Sequence, residues 1–109
     1  MSTLLIDDMR QIDADVIARN FEAGIHALKH CGPFELLYLD HDLGEVNTFG
    51  TELYVEIEGV TYPKNGYGIM CFLENHREFL PAGIKIVSSN PVGRKNMQVV
   101  INKLYGDDV

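Results

Sequence analysis

Apolar residues along this chain fall into two patterns, short continuous runs and longer stretches in which they recur every three or four positions, and each predicts a different element. Thr3-Leu4-Leu5-Ile6, Leu36-Leu37-Tyr38-Leu39 and Ile84-Lys85-Ile86-Val87 are brief runs that end abruptly in polar residues. Runs of this kind are the habit of strands covered on both faces, as in a parallel sheet. The spacing of Ile17, Phe21, Ile25 and Leu28 predicts a helix from about Asp13 to His30, with Arg19, Glu22, His26 and Lys29 on its polar face. Asp13 or Asp15 is its expected cap, and Gly32-Pro33 stops it. Ile69, Met70, Phe72, Leu73 and Phe79 predict a second helix over Tyr67 to Phe79, closed by Pro81 and Gly83. Met97, Val100, Ile101 and Leu104 predict a third, from Pro91 or Gly93 to Tyr105, before the polar end Gly106-Asp107-Asp108-Val109. Between Leu53 and Tyr62 the residues alternate and are rich in β-branched and aromatic types, with Glu58-Gly59 at the middle, which predicts a hairpin.

The order is therefore strand, helix, strand, hairpin, helix, strand, helix. Right-handed crossovers turn it into a short parallel sheet with flanking helices, an α/β fold. With 109 residues, 46% of them hydrophobic, residues 1–109 hold one core and have no length for a second, so a single domain with a hairpin inserted at about 53–62 is expected. The formal net charge of -7 repels a phosphate backbone or an anionic surface, which argues against duplex nucleic acid and membrane as partners. Cys31 and Cys71 have no metal-ligand spacing and read as reduced structural thiols. With no apolar stretch of membrane-spanning length and no basic leader, a soluble cytoplasmic protein is the expectation. A three-stranded sheet would leave one apolar face bare, and a homodimer would cover it.

The strand ends carry the candidate chemistry. Asp7-Asp8, Asp40-His41-Asp42 and Ser88-Ser89-Asn90 all follow the carboxyl ends of predicted parallel strands, where open α/β sheets bind ligands. Carboxylates crowded on one rim repel each other unless protonated or bridged by a cation, and hard oxygen donors suit Mg2+ or Mn2+. Asp7, Asp8 and Asp40 are the expected metal ligands. Ser88, Ser89 and Asn90 lead into a helix amino terminus that favours an anion, and Arg94 and Arg10 are candidate phosphate clamps. A phosphoryl site results, with His41 and Asp42 available for proton transfer. Bland alternatives stand beside these: Asp7-Asp8 as a turn pair, Asn90 or a serine as a helix cap, Arg94 as a surface charge.

These residues resemble the receiver domains of two-component response regulators. More closely, Asp7-Asp8-Met9-Arg10, Leu39-Asp40-His41-Asp42-Leu43-Gly44 and the run Ser88 to Met97 look like the family of cyclic-phosphate-processing receiver-like domains. The resemblance implies a small receiver-like three-layer fold and a cyclic-phosphate ligand. Compared with a signalling receiver, the chain lacks one strand-helix unit and the last strand with its phosphoryl-contacting lysine, so Asp40 is not expected to serve a phosphorelay. Within the closer family the position before Ser88 often holds histidine and here it is Val87. If that histidine is catalytic elsewhere, His41 must replace it or activity is lost. Three functions follow: a metal-dependent phosphoesterase opening a cyclic phosphate on a small nucleotide or RNA end; a module that binds a cyclic or phosphorylated nucleotide without turnover; and a degenerate receiver serving protein-protein interaction.

Overall fold

The computed structural model describes residues 2–106, and the terminal Asp107, Asp108 and Val109 lie outside the described residues. In chain order the elements are β1 (Thr3–Ile6), β2 (Val16–Ala18), α1 (Phe21–His30), β3 (Leu36–Leu39), β4 (Tyr54–Ile57), β5 (Val60–Pro63), α2 (Gly66–Asn75), a 3-10 turn at Arg77–Phe79, β6 (Ile84–Ile86) and α3 (Pro91–Tyr105). Four strands form a parallel sheet in the order β2-β1-β3-β6, with Leu5 registered between Ile17 and Tyr38.

That strand order decides where everything else goes. The chain steps one way from β1 to β2 and the opposite way from β2 to β3 and on to β6. Right-handed connections therefore put α1 and α2 on one face and the 7–15 connection on the other. Burial agrees: Leu4, Ile6, Ala18, Leu37 and Leu39 form one cluster with Phe21 and Leu28 of α1, Ile69 and Phe72 of α2, and Met97 and Val100 of α3. Leu5, pointing the other way from Leu4 and Ile6, is fully buried outside that cluster.

The receiver-like α/β arrangement, with its parallel sheet, flanking helices and inserted hairpin, stands. The sheet, however, has four strands where three were expected. The helix predicted from Asp13 starts only at Phe21, because Val16-Ile17-Ala18 pairs with β1 as an edge strand that leaves Ile17 partly exposed. Neither Asp13 nor Asp15 is the cap. Asn20 caps α1 by accepting from the Ala23 amide, while the Asp15 carboxylate accepts from the Thr3 amide at 2.8 Å and ties β2 to the start of β1. The strand of the supposedly missing strand-helix unit is thus present, and it is the helix between β1 and β2 that is replaced by irregular chain. The second helix ends at Asn75 and breaks at His76 before the 3-10 turn.

Glu58 (φ 51°) and Gly59 (φ 83°) both take positive φ, the geometry of a tight hairpin turn matched to strand twist. The β4–β5 hairpin packs against α2, where the buried Tyr62 accepts a hydrogen bond from Asn75 through its hydroxyl at 2.8 Å. All three helices share one buried cluster with the sheet, and the hairpin packs on α2.

Candidate functional site

The reversal of direction between β1 and β3 makes the gap beyond their carboxyl ends the switch point of the sheet, where ligand crevices form. Asp7 and Asp40 occupy that gap. Ladder hydrogen bonds run on through them, from the Asp7 amide to Ala18 O (3.1 Å) and from the Asp40 amide to Ile6 O (3.0 Å), so both are held by the sheet itself. Asp7 is 1% exposed and Asp40 is 7% exposed, values that carboxylates tolerate only with partners. One oxygen from each of Asp7, Asp8 and Asp40 lies within 4.8 Å of the others. The three carboxylates therefore meet, as a shared ion would require. Gly44, at φ 70°, turns the chain beside them, and a Cβ there would come 3.0 Å from Asp8 Oδ2.

The two buried acids are pushed apart in pKa. Burial raises Asp7, but its Oδ1 accepts from the Arg10 and Met9 amides at 3.0 and 2.9 Å and its Oδ2 from Arg10 Nη1 at 3.2 Å, which together hold it below the ordinary carboxylate value. Asp40 is raised, first by burial and then by the charge of Asp7, against the opposing His41 amide at 2.8 Å and the Arg10 guanidinium at 3.7 Å. Arg10, expected to clamp phosphate, therefore lies on the acids. Arg19 holds the loop that carries it, donating through Nη1 to Asp7 O (3.1 Å) and Arg10 O (2.6 Å). Its role was not visible in the chain, because it depends on β2 being a strand.

His41 follows Asp40 and is tied to it by its amide, which donates to Asp40 Oδ1. Its Nδ1 lies 3.0 Å from Asp42 Oδ1, so in the neutral ring the carboxylate favours the proton on Nδ1 and Nε2 is the acceptor. Asn90 Nδ2 donates to Asp42 Oδ2 at 3.4 Å. The imidazole packs against Gly93 in the first turn of α3, and the His41 carbonyl accepts from the Gly66 amide at the start of α2 at 2.8 Å. Both helices therefore fix its position.

The remaining candidates serve the turn into α3. Ser88 is buried, lies beside Asp40 and accepts from the Asn90 amide at 3.0 Å. Asn90 caps α3 through the Gly93 amide (3.0 Å), and Arg94 Nη1 donates to Ser88 O at 2.8 Å. Ser89 is exposed. Pro91 has no amide hydrogen and Gly93 is already capped, so this helix terminus offers an anion fewer free donors than its sequence suggests.

Three carboxylates with hard oxygens at this spacing fit Mg2+ or Mn2+, and Arg10 would compete with the ion for Asp7 Oδ2 and Asp40 Oδ1. Beyond His41 a hollow of about 470 Å3 opens between the hairpin and the first turns of α2 and α3. Among the described residues, no helix is long and apolar enough to cross a membrane.

A parallel sheet of this order, with an acidic cluster at its switch point and a polar turn after the next strand, defines a receiver-like domain. The chain belongs to the cyclic-phosphate processing receiver domain family, whose family model matches residues 2–103. No curated protein and no solved structure gives a match.

Proposed function

We propose that this domain is a metal-dependent phosphoesterase that opens a cyclic phosphate on a small nucleotide or an RNA end. The observation that supports it is the succession of two units on one rim, the Asp7–Asp8–Asp40 carboxylates and the His41–Asp42 pair, joined where the His41 amide donates to Asp40 Oδ1. Asp7, Asp8 and Asp40 would hold Mg2+ or Mn2+, which when bound supplies charge neutralisation for the phosphoryl oxygens. Asp42 holds the His41 ring with Nε2 as a proton acceptor, poised to take the proton of an attacking water and return it to the departing sugar oxygen. One P–O bond forms to water, one P–O bond to the sugar breaks, and the product is a phosphomonoester. Ser88 and Asn90 keep the turn after β6 against Asp40 and Asp42. Arg10, if displaced from Asp7 and Asp40 by the ion, would be free to turn its guanidinium toward the phosphoryl group.

A second reading, capture of the nucleotide without turnover, is favoured by the same Arg10, which already balances Asp7 and Asp40 without an ion. Incubation with cyclic mono-, di- and oligonucleotides, with and without Mg2+, followed by mass spectrometry separates the two. The hydrolase yields phosphomonoester only with the metal; a capture module releases intact ligand on denaturation.

A further inference from the structure

The hairpin is more than a receiver-like sheet needs, and its position gives it a task. Strand β4 brings Tyr54 to the lining of the 470 Å3 hollow, which the starts of α2 and α3 complete with Asn65, Asn90 and Asn96, together with His41. That volume is in the range of small-molecule sites. None of the described lining residues is Lys or Arg, and Glu52 is the carboxylate among them, already accepting from Asn65 Nδ2 at 3.0 Å. Such a lining does not suit a phosphate. It suits an uncharged group.

Its chemistry narrows that group further. Tyr54 is 60% exposed and pairs across the hairpin with Pro63, so much of its aromatic ring is open to solvent. Asn65 and Asn90 are committed to capping α2 and α3, whereas Asn96 lies exposed beyond the first turn of α3, with a carboxamide that offers a donor and an acceptor side by side. Val92, 69% exposed, adds apolar surface to the same lining. A flat π-face together with a paired donor and acceptor matches a nucleobase.

We infer that this hollow is a nucleoside subsite, in which Tyr54 stacks on the base and Asn96 hydrogen-bonds its edge. The hairpin is then the wall that determines specificity. Because His41 borders both the hollow and Asp40, a base seated here directs its sugar and phosphate toward the acids. The link to turnover rests on the phosphoesterase reading; binding of the base does not.

The test uses the full chain with adenosine, guanosine, cytidine and uridine as metal-free probes in calorimetric titration, then their 2′,3′-cyclic phosphates against base-free glycerol 1,2-cyclic phosphate in a turnover assay. At least one nucleoside is expected to bind, and Tyr54→Ala and Asn96→Ala are each expected to weaken it by about tenfold. The matching cyclic nucleotide is expected to have a KM about tenfold below that of glycerol 1,2-cyclic phosphate, with Tyr54→Ala erasing the difference. Both side chains are exposed, and circular dichroism checks that the variants stay folded. Nucleosides that fail to bind, or bind equally to both variants, overturn the subsite, as does turnover with no preference for a base. Tyr54-dependent nucleoside binding with every cyclic phosphate left intact would sustain the subsite and defeat the hydrolase reading instead.

Discussion

His41 sits in the space that a side chain on Gly93 would fill: a Cβ built there would be 2.5 Å from the imidazole Cγ and 2.6 Å from Cδ2. In an open helix, glycine to alanine adds about 1 kcal/mol of stability through propensity. Here the added methyl must move a ring that Asp42 and the start of α2 also hold, and overpacking of that kind costs about 1–3 kcal/mol. Gly93→Ala should therefore lower the melting temperature and reduce kcat, because the ring is displaced. Wild-type melting and turnover in this variant would show that the contact does not position His41.

His41→Ala should retain ligand affinity and lower kcat by about 10²–10⁴-fold, the range of a lost general acid or base. Asp42→Asn should cost less, since the Asp42 side chain is 67% exposed and its proposed part is to orient the ring. Turnover against pH for the three proteins, with ligand binding measured alongside, distinguishes these roles. An unchanged rate in His41→Ala would remove its part in proton transfer.

Asp40→Asn should produce opposite effects with and without metal. The Asp40 carboxyl has a folded pKa above its ordinary value because burial and Asp7 disfavour its charge. The folded state thus holds the proton more tightly than the unfolded state, and this contribution to stability falls as pH rises from the ordinary value through the raised one. Above the raised value the full penalty is present. Removing the charge should stabilise the metal-free protein by about 1 kcal/mol in thermal melts with chelator, and abolish the further rise expected of the wild type with Mg2+. A lower metal-free melting temperature would contradict this assignment.

Arg10→Ala should do the reverse. Asp7 has its folded pKa depressed, against the upward push of burial, by the Arg10 and Met9 amides and the Arg10 guanidinium, so its stabilising contribution is present above the unfolded value and is lost as pH falls through the lower folded one. Without the guanidinium, the metal-free protein should lose about 1–2 kcal/mol at neutral pH and unfold at a higher pH on acidification. Mg2+ should bind more tightly, because its competitor is gone. Weaker Mg2+ binding in this variant would show that Arg10 supports the ion rather than competing with it.

Much of this arrangement is legible in the chain, for physical reasons. Leu4-Leu5-Ile6 and Leu37-Tyr38-Leu39 are continuous apolar runs that a buried parallel strand requires, and the acids that follow them mark the rim. Strand β2 is masked in the sequence because Ile17 falls in phase with Phe21, Ile25 and Leu28, so three edge-strand residues read as a helix's first turn. What decides for a strand is Asp15 binding the Thr3 backbone, a contact between segments that local spacing does not carry. Arg10 turned onto Asp7 and Asp40, and Arg19 gripping the loop, depend on the path of the irregular 7–15 connection in the same way. The hollow beside His41 is built by the hairpin and two helix starts that are distant in sequence, so no single motif announces it.

The meeting of Asp7, Asp8 and Asp40 around one divalent ion is tested most directly by titrating the isotopically labelled protein with Mn2+ and mapping paramagnetic broadening of its amide resonances. Saturable broadening centred on residues 7, 8, 40 and 44, absent in Asp40→Asn, is the predicted result. Broadening centred elsewhere, or unaltered by Asp40→Asn, would contradict it.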